Sequence, residues 1–370
     1  MADIARKDTL QIPEICIDGH GCGERKRTFE ESPNAVLNTP KKRKFKDADI
    51  KRALVVAVSS RALFDLDEEH EVYETHGLEE YIKFQKKMEN IPCKPGTAFA
   101  FIKALQNVND KLLEKNADEE EIFDVVLVTQ NHGDTSIRII NSINHYGLRI
   151  ERASLTGGSD PIEYLKAWNT CLFLSADVDQ VKKALDHGMA AAVVQKQVTN
   201  ETTEQLRIAF DGDSVLFSDE SERIVKEQGL LDFFAHETAK ANEPIGEGPL
   251  KNFAERLGRM QKKFPRYSSS VTDNPIRTYL VTARSMASAG KRALLTLRSW
   301  GLEMDETFFL SGAIKAPFLK TINPHLFFDD QPKHIKAASE TGTPSAHVPH
   351  GIAQDYCGKQ KIKRTLSSQF

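Results

Sequence analysis

The chain has few cysteines, and none of them stands in a motif. Cys16, Cys22, Cys93, Cys171 and Cys357 are scattered, odd in number and free of any CxxC spacing. That argues against a disulfide framework and a thiolate zinc site, and it suits a reducing compartment. No apolar run approaches the length of a membrane span, and the opening Met1-Ala2-Asp3-Ile4-Ala5-Arg6-Lys7-Asp8 is too polar for a signal peptide. A cytoplasmic location without membrane association is the expectation. Neither sign of charge dominates: 50 Lys and Arg against 53 Asp and Glu leave a net −3. There is no domain-wide basic field, so no nucleic-acid partner is expected. The eleven histidines form no HxxxH or HExxH. His132, His145, His325, His334, His347 and His350, near candidate strand ends or helices, are read as hydrogen-bonded residues rather than ligands.

What is present is an ordinary soluble composition, 40% hydrophobic and 28% charged over 370 residues, enough for two or three domains. Residues 1–50 are polar, broken by Pro13, Pro33 and Pro40, and carry Arg25-Lys26-Arg27 and Pro40-Lys41-Lys42-Arg43-Lys44. They read as a disordered basic tail whose second run has the composition of a nuclear localisation signal, so nuclear access joins the cytoplasmic expectation. Residues 352–370, with Lys359, Lys361, Lys363 and Arg364 among Ser and Gln, read as a second tail.

The most informative segment is Leu206-Arg207-Ile208-Ala209-Phe210-Asp211-Gly212-Asp213, a β-prone run ending in Asp-x-Asp. In open α/β sheets ligands bind at the carboxyl ends of strands. Gly212 would let the backbone turn sharply between the acids. Later candidate strands end in Thr282, run into Ser311-Gly312-Ala313-Ile314-Lys315, and end in Asp329-Asp330. Helical patterns such as Ala287 to Trp300 lie between them, which is the alternation of a mainly parallel sheet. Each of these residues alone is ordinary turn, cap or surface chemistry; the ordered set is what phosphoryl transfer requires. Asp211 is placed to attack phosphorus, and Asp213 to protonate the leaving oxygen and then activate water. Gly212, Thr282, Ala283 and Lys315 are the candidate phosphate-binding positions. Mg²⁺, held by Asp211, the Asp213 carbonyl and one or both of Asp329 and Asp330, would offset the repulsion between carboxylate and phosphate.

This set resembles the haloacid dehalogenase superfamily of aspartate-nucleophile phosphatases. Longer strings resemble the type I cytosolic 5'-nucleotidases: Ala209 to Arg223, Pro275 to Ser285, Leu297 to Leu302, Phe327 to Gln331, Ala57 to Phe64 and Ile140 to Tyr146. The likeness runs from about Lys51 to Gly351. It implies hydrolysis of AMP and other nucleoside 5'-monophosphates, and a family with ADP-activated forms makes ADP a candidate effector. A homo-oligomer is expected. Two readings stay open beside this one: a phosphatase of the same superfamily acting on a sugar phosphate or phosphoprotein, and a nucleotide-binding regulator without turnover.

The chain also repeats itself. Asp67-Glu68 recurs 152 positions on as Asp219-Glu220, and the same offset pairs Gly77 with Gly229, Gly96 with Gly248 and Phe101 with Phe253. Thr129 pairs with Thr282 at 153, and Gly147-Leu148 with Gly301-Leu302 at 154. The fold expectation is therefore α/β: two tandem haloacid dehalogenase-like, Rossmann-like units, residues 51–200 and 201–351, with a small helical cap at about 219–275. Across the repeat, Asp211 corresponds to Ser59, Asp213 to Arg61, Asp329 to Ser175 and Asp330 to Ala176. The first unit lacks the acids and reads as a non-catalytic twin. Ser59, Ser60, Arg61 and Thr129 there form a candidate regulatory nucleotide site. Asp65 and Asp67 align with Phe217 and Asp219, past the strand end, and are assigned no catalysis.

Overall fold

The computed structural model describes residues 53–197, 205–264, 274–352 and 354. The basic N-terminal runs, Cys16, Cys22, Cys357 and most of the C-terminal tail lie outside the described residues. Twelve strands are described: β1 (Leu54–Val58), β2 (Phe64–Asp65), β3 (Lys94–Pro95), β4 (Phe123–Thr129), β5 (Arg152–Leu155), β6 (Leu172–Ser175), β7 (Ala191–Val194), β8 (Leu206–Phe210), β9 (Ile276–Thr282), β10 (Glu306–Phe309), β11 (Leu326–Asp329) and β12 (Ser345–His347). Ten of them form one sheet in the order β10-β9-β8-β11-β12-β7-β6-β1-β4-β5, while β2 and β3 make a separate two-stranded antiparallel sheet. Every pairing in the large sheet is parallel except β7 with β12, where Val194 faces Ala346 and Val193 faces His347. The protein is thus α/β with a mostly parallel central sheet.

The two five-stranded halves share one strand order. In each, the first strand lies centrally, the next two lie to one side and the last two to the other. The central strands are buried along their whole length, Leu54-Val55-Val56-Ala57-Val58 in β1 and Phe123 to Thr129 in β4. Such continuous apolar runs are expected of strands covered by helices on both faces. Alternate residues point to opposite faces. Leu54, Val56 and Val58 join Ile208, Phe210 and Phe328 in one core that spans both halves. Val55, Ala57 and Val126 belong to a second core, and Ala209, Val281 and Phe327 to a third.

The segment between Asp213 and Thr282 departs from expectation in two ways. A single helix over Glu222 to Phe234 is expected from periodicity, but Gly229 divides it into Glu220–Glu227 and Leu230–Ala239. Gly229 has φ 99°, and its N–H closes the first helix on the carbonyls of Ile224 and Val225. The helix Lys251–Gln261 belongs to the core rather than to a cover: Phe253 and Leu257 are fully buried. The Phe253 ring lies 6.1 Å from Phe210 and 6.3 Å from Phe328, which themselves stack at 5.5 Å. Those two phenylalanines immediately precede Asp211 and Asp329, so this packing fixes the two acid-bearing strand ends.

Gly96 and Gly248, which correspond across the repeat, are both close approaches. A Cβ at Gly248 would lie 2.4 Å from the Phe217 carbonyl oxygen and 2.5 Å from that of Val215. At Gly96 it would meet backbone atoms of Phe64 and Ala62 at 2.8 and 2.9 Å. Alanine gains about 0.4–1 kcal/mol through the unfolded chain, less than the ~1–3 kcal/mol cost of overpacking against rigid backbone. Gly96→Ala and Gly248→Ala are each expected to lower the urea midpoint of the full chain; an unchanged midpoint in either would contradict the close approach.

Candidate active site

Four elements deliver the candidate residues to one end of the second half-sheet. Asp211 follows β8 directly, Thr282 ends β9 and Asp329 ends β11. Lys315 arrives from the turn between β10 and the helix Ala316–Ile322. That turn places Ser311 and Gly312 at φ 48° and 83°. Asp211, Thr282, Lys315, Asp329 and Asp330 are all buried. The Lys315 Nζ lies 2.7 Å from Asp211 Oδ1 and 2.7 Å from Asp329 Oδ2, so one ammonium is shared by two carboxylates.

The electrostatics of this cluster are uneven. Burial, aided by the neighbouring Asp329 and Asp213 and opposed by Lys315, pushes the Asp211 carboxyl up to about 8. Burial would also raise Asp329, but Lys315 and a hydrogen bond with His334 outweigh it and hold that carboxyl down at about 2. Burial beside Asp329, Asp211 and Glu222 raises Asp330 to about 10. Lys315 is kept protonated by the same two acids against its own burial. Both Asp330 oxygens are buried without a hydrogen-bond partner, an arrangement that native interiors rarely leave without a reason. The ligand atoms of Asp211, Asp329 and His334 lie within 4.8 Å of one another, a possible acidic metal site. The carboxylate oxygens of Asp211 and Asp329 beside the unpartnered Asp330 suit a hard divalent cation, and His334 adds a nitrogen.

Asp213 is engaged more fully than the sequence suggests. Arg284 Nε donates to its Oδ2 at 2.9 Å and Arg284 Nη2 to its Oδ1 at 2.7 Å. Arg284 also donates to Glu237 at 2.6 Å and to Ser221 at 2.8 Å. Arg292 donates to the other Glu237 oxygen at 2.8 Å. The helix Leu230–Ala239 is therefore fastened to the strand ends by a buried charge pair, and Glu220–Glu227 by the Ser221 hydroxyl. Glu222 adds a second tie, accepting from Ser214 at 3.0 Å and from Gln331 at 3.2 Å. Arg284, Glu237, Glu222 and His334 went unassigned in the sequence. Arg284 lies two residues past Thr282, and its spacing gave the only available hint.

The turn after β8 works differently from the expectation. Gly212 has no left-handed φ; the left-handed residue is Ser214, at φ 62°. Glycine at 212 leaves room instead, since a Cβ there would lie 3.1 Å from Thr282 Oγ1 and 3.2 Å from the Phe217 ring, tighter than ordinary contact. Ala283 sits in the loop between Thr282 and Arg284, its carbonyl accepting from the Gly312 N–H at 3.1 Å.

The first half repeats the scaffold of this site without its acids. The Ser59 N–H donates to the Leu174 carbonyl at 2.9 Å, as Asp211 does to Phe328 at 2.8 Å. The Asn131 N–H donates to Thr129 Oγ1 at 3.3 Å, as Arg284 does to Thr282 Oγ1 at 3.2 Å. The Asp177 N–H donates to Ser175 Oγ at 3.1 Å, as Gln331 does to Asp329 Oδ1 at 2.8 Å. Ser59, Ser60, Arg61 and Thr129 line a common cavity at the strand ends. Asp65 and Asp67 lie elsewhere, paired with Lys196.

Comparison with known proteins agrees with this geometry. A model of the 5'-nucleotidase family matches residues 46–355. The chain is 48% identical over 322 residues to the human protein Cytosolic 5'-nucleotidase 1B, covering 86% of this chain and 51% of that protein. The chain thus spans about half the length of the curated relative it matches. No solved structure matches it significantly. Among the described residues, no helix is long and apolar enough to cross a membrane.

Proposed function

Since the chain belongs to the 5'-nucleotidase family, we propose that it hydrolyses nucleoside 5'-monophosphates, AMP first, through an aspartyl-phosphate on Asp211. The observation that carries this reading is the buried Asp211–Lys315–Asp329 cluster at the ends of β8 and β11, with Asp330 unpartnered beside it. Asp211 attacks phosphorus, and the bond to the 5'-oxygen breaks as Asp213, protonated on an oxygen released from Arg284, gives the 5'-oxygen a proton. Asp213 then takes a proton from the water that cleaves the acyl phosphate, which restores both carboxyl groups. Lys315 and the Thr282 hydroxyl hold phosphoryl oxygens, with the amides of Gly212 and Ala283 beside them. Asp211, the Asp213 carbonyl and one or both of Asp329 and Asp330 would hold Mg²⁺, whose charge would let a phosphate dianion approach Asp211.

Residues 201–351 form the catalytic unit in this reading, and 51–200 its acid-free twin from an internal duplication; the shared strand order and the recurring hydrogen bonds support it. The cap narrows to the helices Glu220–Glu227 and Leu230–Ala239, since Lys251–Gln261 is part of the core. An ADP effector, a homo-oligomeric assembly and a cytosolic location belong to the same reading. Phosphate release from a panel of esters with Mg²⁺ tests it: AMP should exceed sugar phosphates and phosphopeptides, and no release from AMP would overturn it.

Two variants probe individual roles. Asp213→Asn should slow AMP hydrolysis about a hundredfold or more, the usual worth of a positioned acid–base group. It should slow an ester with a good leaving group much less in the aspartyl-phosphate-forming step; equal slowing would remove Asp213 from leaving-group protonation. Asp330→Asn should abolish the thermal stabilisation that Mg²⁺ gives the wild type, which would be about 2.7 kcal/mol at a hundred times Kd. A Mg²⁺-dependent melting shift equal to that of wild type would take Asp330 out of the metal site.

A further inference from the structure

The first half of the sheet carries a cavity of its own. It measures ≈ 520 Å³ and opens at the carboxyl ends of β1, β4 and β6, where Ser60 Oγ and Thr129 Oγ1 lie 2.9 Å apart, both residues buried. Arg61 is an exposed lining residue with no ion-pair partner among the described residues. The carboxylates that line the cavity are already committed. Glu69 is paired with the buried Arg138, and Asp177 accepts from the N–H groups of Asp179 at 2.9 Å and Gln180 at 3.2 Å. Arg61 is therefore a lining guanidinium free to meet an anion, while the Asp177 carboxylate is held at its own helix N-terminus.

Two further features narrow the class of anion. Asn131 accepts the Tyr81 hydroxyl at 3.2 Å, while its Nδ2 is buried with no partner. Tyr81 packs edge-to-face with Tyr73 at 5.9 Å, and Tyr73 remains 46% exposed. A face of aromatic ring and a spare amide donor suit a flat heterocycle. The geometry points to a nucleoside phosphate bound in this cavity and left intact. Its phosphate lies at Ser60, Thr129 and Arg61, and its base lies against Tyr73 and Tyr81. It is not hydrolysed, because Ser59, Ser175 and Ala176 stand where the other half has Asp211, Asp329 and Asp330, and the Ser59 hydroxyl caps the Ala62 N–H at 3.2 Å.

The site goes beyond the hydrolytic reading and is tested without turnover. Equilibrium dialysis of labelled AMP against the full chain carrying Asp211→Asn counts bound AMP per chain, and the same measurement follows for Asp211→Asn combined with Arg61→Glu. Arg61 is exposed, so charge reversal there leaves the fold in place, and matched melting curves check this. Asn131→Asp in the same background is an independent second probe. Each added variant should weaken one equivalent of AMP at least about tenfold, as loss of a charge-assisted contact requires, and leave any other equivalent within about twofold. Adenosine should not fill the affected equivalent. Unchanged AMP binding in both added variants, or adenosine binding equal to AMP at that equivalent, would overturn the proposal.

Discussion

Asp211→Asn is expected to lower kcat for AMP by at least about a thousandfold, a barrier increase of roughly 4 kcal/mol. The substitution keeps the volume of the side chain, so the packing of Phe210 on Phe253 and Phe328 is preserved. Lys315 keeps Asp329 as its partner at 2.7 Å. What is lost is the oxygen that would attack phosphorus and one carboxylate of the acidic cluster. Single-turnover measurement with AMP checks this, together with acid-quench trapping of labelled phosphate on the chain. A variant that retains more than about a thousandth of the wild-type rate would show that Asp211 is not the nucleophile.

Lys315→Met should produce the largest loss of stability of any single change at this site. The methionine fills similar space but removes the one ammonium that lies between Asp211 and Asp329, both buried. Breaking a buried ion pair by deleting one partner typically costs about 3–5 kcal/mol, because the remaining charge is stranded. Here the ionised Asp329 is stranded, with the Asp211 and Asp330 carboxyls close by. The prediction is a fall in urea-derived stability of that order without divalent cations, and a partial recovery when Mg²⁺ is added. Activity should fall as well, since the same ammonium is assigned to the phosphoryl oxygens. A variant as stable as wild type in chelator would mean that the cluster is neutralised by other groups.

The positions of the acids could be read from the chain because each stands at the end of an apolar run, and a parallel sheet delivers such ends to one edge. Asp211, Thr282 and Asp329 came together for that reason. The partners that complete the site could not be read in the same way. Arg284 and Glu237 are 47 residues apart and meet through the packing of a helix on the strand ends. Nothing in either residue's neighbourhood specifies the other. His334 lies in the first turn of the helix that follows Asp329, and only the direction of that helix turns its ring onto the carboxylate. The reason for Gly212 was also hidden. A glycine between two acids suggests a left-handed turn, whereas here it makes room for Thr282 and Phe217, which arrive from other parts of the chain. The interruption at Gly229 was obscured because both flanking helices keep apolar residues at helical spacing.

The antiparallel pairing of β7 with β12 has a consequence for traffic between the two halves. All other pairings are parallel, so the strands of one half point opposite to those of the other. Their carboxyl ends emerge at opposite margins of the sheet. With strands spaced about 4.8 Å apart, the five steps from β1 to β8 separate these strands by roughly 24 Å laterally, before the full strand length is added. A molecule leaving one strand-end opening faces away from the other and must cross bulk solvent to reach it. Direct handover of product is therefore ruled out by direction alone. Influence of one half on the other can instead pass through the protein, by the β7–β12 ladder, the continuous core beneath it and polar contacts such as Lys263 with Glu119 at 3.1 Å.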